Sequence, residues 1–227
     1  MSVAPGILGD MAFPVDTSLT TVPAWTVPLW NAIRDLHWTA YGAIERGRKP
    51  DADAQDRELA RWALGVTSTL AWLRAARVQA PVTERADQPI TRELAVCEHW
   101  AAFVTSADPD GLLDGPRLAS EVDVPWQPPV VVQPDYGRGT WCALRWLLGY
   151  AGQGVPLPVP ERNDDGSLVT ETQMYERAKA EEPGRYRNPE RRQELRHDAR
   201  RQARRNENLA ARIEQTQEHW AVSEGVL

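Results

Sequence analysis

Lysine is nearly missing from this 227-residue chain: Lys49 and Lys179 are its only two, and the other 24 of its 26 basic residues are arginine. GC-rich coding would produce that bias, and arginine also suits bidentate contacts to carboxylate or phosphate. Cysteine is just as scarce, and Cys97 and Cys142 cannot make a disulfide framework. No apolar run approaches the ~18 residues of a membrane-spanning helix. The opening MSVAPGILGDMAFPVD has neither a basic leader nor a long apolar stretch, so it does not read as a secretory signal. These absences lead to the expectation of a soluble, cytoplasmic protein without membrane association.

Catalytic signatures are also lacking. There is no GxSxG elbow, no Walker loop and no GxGxxG. His37, His99, His197 and His219 are isolated, and Glu98–His99 and Glu218–His219 are adjacent pairs that would not face one another on a helix. Cys97, His99, Cys142 and His37 have zinc chemistry but no zinc spacing. Glu161, Asn163, Asp165 and Gly166 start like a calcium loop, yet position 172, where the bidentate acid belongs, is threonine. A turn is the better reading. No metal, no cofactor and no catalytic residue is expected, and an enzyme would need a motif-less site in the helical body near His37 and His99.

What the chain does have is tryptophan, ten residues against two phenylalanines, and helical periodicity. Leu29, Ile33, Leu36, Ala40 and Ile44 mark a helix from Pro28 to about Arg46. Leu59, Trp62, Val66, Leu70 and Leu73 mark a second from Asp51 to Ala80, with Asp51, Asp53 and Asp56 at its positive end. A third runs from Pro89 to Ser106. Residues 107–135 hold Pro125, Pro128, Pro129 and Pro134 and read as an extended crossover, with one edge strand open at Val130 to Val132. A fourth helix, Tyr136–Gly149, is apolar nearly all round, as a central core helix would be. ARWALG at 60–65 and LRWLLG at 144–149 make a faint internal echo. The predicted fold is therefore mostly α: an irregular arm over 1–24, a Trp-rich helical body over 25–151 with a Pro-rich crossover, a linker over 152–169, and a helical C-terminal arm over 170–227. In that arm Thr170 and Gln173 form a capping box, and Asn188 and Pro189 open a charged final helix running to about Trp220.

That last helix carries the strongest signal. Arg191, Arg192, Arg196, Arg200, Arg201, Arg204 and Arg205 face only Glu194 and Asp198 within fifteen residues, a local charge of +5. The whole chain carries −6, which leaves −11 on the rest. Such segregation marks an interaction arm or a self-docking helix. Arg192, Arg196, Arg200 and Arg204 step by four and could track phosphates. The same arginines could instead meet an acidic protein, or be solvated. Leu195, Ala199, Gln202, Asn206, Leu209, Ile213, Thr216 and Trp220 form a heptad-like seam with a polar middle. It offers a partner helix a register, allows self-association, or docks Leu209, Ile213 and Trp220 on the protein's own core, the reading the pattern slightly favours.

The run GTWCALRWLLGYAGQGVPLP, residues 139–158, resembles segments of accessory proteins of actinobacteria and their phages. The resemblance covers some twenty residues and no specific motif. It implies a non-enzymatic accessory or regulatory role, such as that of a recombination directionality factor, which binds a serine integrase and redirects its coiled-coil arms. On that reading the C-terminal helix engages a partner protein, one already on DNA, through its seven arginines with Leu209 and Ile213. Direct DNA contact would be local, because the acidic body repels phosphate. A virion or assembly subunit and a motif-less enzyme are the alternatives.

Overall fold

The computed structural model describes residues 22–223, apart from 76, 87, 108–112, 122, 124, 132 and the side chain of Arg185. The N-terminal arm expected over 1–24 thus lies almost wholly outside the described residues. The chain is mostly helical, with α1 Trp30–Arg48, α2 Ala54–Leu73, α3 Arg92–Ala107, α4 Gly115–Glu121, α5 Pro134–Leu147, α6 Glu171–Glu181 and α7 Pro189–Ser223. A single 3₁₀ turn, Arg185–Arg187, joins the last two.

The body is built around α2 rather than around the 136–149 helix. Every residue from Ala63 to Arg74 is buried, because α1 packs on one side of α2 and α5 on the other, while α3 closes α5 from outside. On α5, Arg138 is exposed and Trp141, Arg145 and Trp146 remain partly accessible. Glycine allows this close crossing. A Cβ on Gly65 would lie 2.1 Å from the Tyr136 carbonyl oxygen, and one on Gly139 would lie 2.0 Å from that of Trp62. The Thr140 hydroxyl donates to the Gly65 carbonyl at 3.2 Å across the same contact. Around it Ile33, Leu36, Val66, Leu70, Trp72, Leu144 and Leu147 form the core. The echo between 60–65 and 144–149 is not a repeated unit: Gly65 sits in mid-helix, whereas Gly149 follows α5 with φ +73°.

α2 begins where Asp53 accepts the Asp56 N–H at 2.7 Å, a side-chain N-cap. It stops at Leu73, well short of the expected Ala80. Ala75 turns left-handed at φ 56°, and the freed chain loops around Glu98. This carboxylate is fully buried and accepts from Val82 N at 3.0 Å, Thr83 N at 3.2 Å and the Thr83 hydroxyl. Burial still holds its carboxyl above the ordinary range, against those hydrogen bonds. The Val82 carbonyl in turn accepts from both Val130 and Val131 N–H at 2.9 and 3.2 Å. That pairing fixes the Pro-rich crossover without a strand, so the edge strand allowed at 130–132 does not form at the described positions. The crossover also contains a helix that its prolines concealed: α4 starts at Gly115, where a Cβ would lie 2.3 Å from the Trp126 ring.

The 152–169 connection is packed rather than free. Val155, Leu157 and Val159 rest on the body core, and Val169 joins Met174, Ala199 and Ala203 between α6 and α7. The Thr170–Gln173 capping box opens α6 as expected. Asn188 accepts the Glu190 N–H at 2.9 Å before α7, whose 35 residues span about 50 Å.

Candidate interaction surface

The inner face of α7 is used up inside the protein. Leu195, Ala199, Ala203, Asn206, Ala210 and Ile213 are buried, a seam close to the predicted one but shifted at Gln202, which is exposed, and at Leu209, which is half-buried. Ile213 packs with Trp38, Tyr41 and Trp220, and the Trp38 and Trp220 rings lie 5.8 Å apart edge to face. Thr216 fits over Gly42 of α1, where a Cβ would be 3.0 Å from its hydroxyl. The seam thus docks on the protein's own first helix.

Polar groups set the position of that docking. Asn206, the polar middle of the seam, is 4% exposed. Its carboxamide accepts the Glu161 N–H at 2.5 Å and donates to the Glu161 and Val169 carbonyls at 2.9 and 3.4 Å. It thereby ties α7 to both ends of the 161–169 turn. Within that turn Arg162 donates to the fully buried Asp35 of α1 at 2.5 Å and to the Gly166 carbonyl at 3.0 Å. Asp165, one of the calcium-like positions, accepts from the Ser167 N–H and hydroxyl at 2.9 and 2.6 Å. Those bonds hold its carboxyl below the ordinary range and close the turn on itself. Among the described residues no group of three or more His, Cys, Asp or Glu side chains is placed to hold a metal ion.

The seven predicted arginines divide by partner. Arg191 bridges Glu182 at 3.2 Å and Glu194 at 2.8 Å. Arg192 lies over the Tyr186 ring at 5.8 Å and Arg196 over the Tyr175 ring at 5.6 Å, cation–π contacts that hold the start of α7 against the 3₁₀ turn and α6. Arg200 pairs with Glu171 at 3.4 Å and Arg201 with Asp198 at 3.1 Å, exposed pairs of little energetic weight. Arg204 and Arg205 are exposed and have no carboxylate partner among the described residues. The evenly stepped stripe is therefore split, its first half set against tyrosine rings and its second half open to solvent.

The open half forms a groove of about 940 Å³. Its lining includes His197, Arg200, Arg201, Arg204, Arg205, Asn208, Leu209 and Gln215, with Pro158 as the opposite wall. Arg212 lines it too. It lies outside the arginine-dense window, so the sequence argument passed over it; its i+8 relation to Arg204 was the available signal. Leu209 also faces the neighbouring cleft under Pro158 and Arg205. It is thus reachable from outside, whereas Ile213 is 4% exposed.

Neither histidine of the proposed enzymatic alternative faces such a groove. His37 and His99 lie on α1 and α3, on opposite sides of the α2–α5 pair, and are 3% and 5% exposed. His99 sits among Trp100, Trp141 and Tyr150 at ring distances of 5.4, 6.3 and 5.1 Å. None of the four ring nitrogens has a hydrogen-bond partner among the described residues. Burial first, and then the nearby Arg74 or Arg145, lower both imidazoles to about 4. Such packing suits neutral core histidines, and neither ring lines the clefts along α7. Comparison with known proteins finds no matching family, no similar curated protein and no similar solved structure.

Proposed function

We propose that this protein is a non-enzymatic accessory protein that joins an assembly on nucleic acid, docking on a DNA-bound partner protein through the outer face of α7. One observation carries the reading: in a chain of net charge −6, Arg204, Arg205 and Arg212 share one groove without a counter-charge among the described residues. Uncompensated cations on an acidic protein steer an anionic partner to one face and away from the rest. Leu209 adds an apolar contact in the same groove. A site-specific recombinase on its DNA is the kind of assembly that the resemblance over 139–158 implies. The alternative of an assembly subunit locking onto neighbours through its tail gains nothing from the geometry, because the seam that would lock already covers Trp38.

The test is affinity capture from a host lysate with intact protein and with Arg204→Gln/Arg205→Gln/Arg212→Gln, each with and without nuclease. Point variants are the right tool, since removing α7 would expose Trp38 and strand the Glu161 and Val169 backbone groups that Asn206 pairs. A specific protein lost from the variant in both conditions supports the reading. The same proteins captured by both forms would overturn it.

A further inference from the structure

The basic groove does not end with the helix that carries the arginines. Arg212 and Gln215 line it and also line a second cleft of about 550 Å³, whose other wall is the end of α1 with Arg46, Arg48 and Lys49. Among the described residues Glu45 is the one acid lining either cleft, and it is bonded to Arg48 at 2.9 Å. Arg46 and Lys49 are exposed. Cations in a last helical turn offset the helix dipole, which accounts for Arg46 and Arg48 taken alone. It does not account for Arg212 facing them from another helix. Converging like charges repel unless an anion joins them, and here they converge on a chain that is otherwise acidic. The fit of Thr216 over Gly42 sets this approach.

We propose that the two clefts form one continuous track for the phosphate backbone of a double-stranded nucleic acid, running from Arg200–Arg205 along α7, through Arg212, to Lys49 at the end of α1. The proposal rests on the docking reading above and adds direct contact with the duplex that the partner occupies. From Arg200 to Arg212 the track follows α7 for about 18 Å before it crosses to α1. Asn208, Gln215 and Thr216 lie beside its cations, and among the described residues no Phe, Tyr or Trp lines either cleft. Unpaired bases would find no stacking platform there, so a duplex fits and a single strand does not. Arginine and lysine without base-reading geometry give sequence-independent, salt-sensitive contact.

The test is fluorescence anisotropy of a labelled DNA duplex of about 30 base pairs with the full chain, titrated over a range of salt concentrations. Arg46→Gln/Lys49→Gln is compared with wild type and with Arg57→Gln/Arg92→Gln, two exposed cations outside both clefts. Equal thermal unfolding of the three proteins shows that folding is unchanged. The α1 variant is expected to lower the slope of log K against log salt by about 1.8, with affinity falling roughly tenfold per lost contact at low salt. The control pair should match wild type. An unchanged slope in the α1 variant overturns the extended track, as does tighter binding of a single strand than of the duplex. Failure of wild type to bind duplex at low salt also overturns it. In that case partner capture that still depends on Arg204, Arg205 and Arg212 leaves the docking reading standing alone.

Discussion

Replacing Arg162 with methionine would leave Asp35 as a buried charge stripped of its main partner. Asp35 is fully buried on α1. Arg162 reaches it with two guanidinium nitrogens at 2.5 and 3.5 Å, while Arg34 touches it once at 3.4 Å from a side chain 37% exposed. Removing one member of a buried pair costs about 3–5 kcal/mol, most of it the penalty on the charge left behind. Arg34 recovers part of this, so about 3 kcal/mol is expected. The loss has an upper limit: once it exceeds the docking free energy of the α6–α7 hairpin, the hairpin lifts off and solvent reaches Asp35 without unfolding the body. Urea denaturation followed by circular dichroism reads the global part. Hydrogen exchange along 159–220 reads the local part, as faster exchange at the α7 amides facing α1. Asp35→Asn with Arg162→Met should restore most of the loss, a coupling of about 2 kcal/mol or more. A loss below about 1 kcal/mol by both readouts, or a double variant no more stable than Arg162→Met, would refute the claim that this pair holds the arm on the body.

Two other perturbations follow from buried polar groups. His37 and His99 titrate at about 4 in the folded chain and near 6.5 when unfolded. Their contribution is therefore complete above pH 6.5 and is lost as the pH falls toward 4, by up to a few kcal/mol per ring. Glu98, raised by burial, gains in the opposite sense, so the histidine part is read as the difference in urea stability between wild type and His99→Phe from pH 7 to 4.5, where the variant should show the shallower decline. Asn206→Leu improves the seam as a coiled-coil heptad but strands the Glu161 and Val169 backbone groups it now pairs. A less stable chain, by about 2 kcal/mol, with unchanged mass in sedimentation is expected, and a more stable dimer would show the seam to be intermolecular.

The helices were legible where period and cap agreed. Thr170 with Gln173 and Asn188 with Pro189 located both arm helices, because capping is a local interaction of residues that are neighbours in sequence. The errors arose where distant residues decide. The end of α2 is set by Glu98, from the next helix, drawing in the 82–83 backbone, and no period within 51–80 carries that information. The central position of α2 depends on Gly65 meeting Gly139, and a glycine in mid-helix reads locally only as a cost. Proline hid α4: Pro116 sits in the first turn of Gly115–Glu121, where a helix tolerates it, and Pro125, Pro128, Pro129 and Pro134 all follow its end. The charged face was half legible. The count of arginines was plain, but which of them are neutralised depends on Glu171, Tyr175, Glu182 and Tyr186 folding back, and Arg212 stood outside the dense window.

The two faces of α7 depend on each other. Its inner face attaches to the body through one small aromatic cluster, Trp38, Tyr41, Ile213 and Trp220, and through Asn206, which grips the 161–169 turn that the Arg162–Asp35 pair ties to α1. An apolar seam alone tolerates sliding by a turn or rotation about the axis, whereas a carboxamide bonded to named backbone groups at 161 and 169 does not. Polar contacts of this kind add little net stability and specify register. Register is what the outer face needs: Arg212 belongs to both clefts only while α7 lies in one position over Gly42 and Thr216 meets that glycine. A slip of one turn would carry Arg212 about 5.4 Å along the axis and break the track between α1 and α7. The clasp residues, which line no part of the track's two clefts, are thus the ones that keep its cations in line. Asn206→Leu should weaken duplex binding at low salt as the α1 variant does, although it removes no charge.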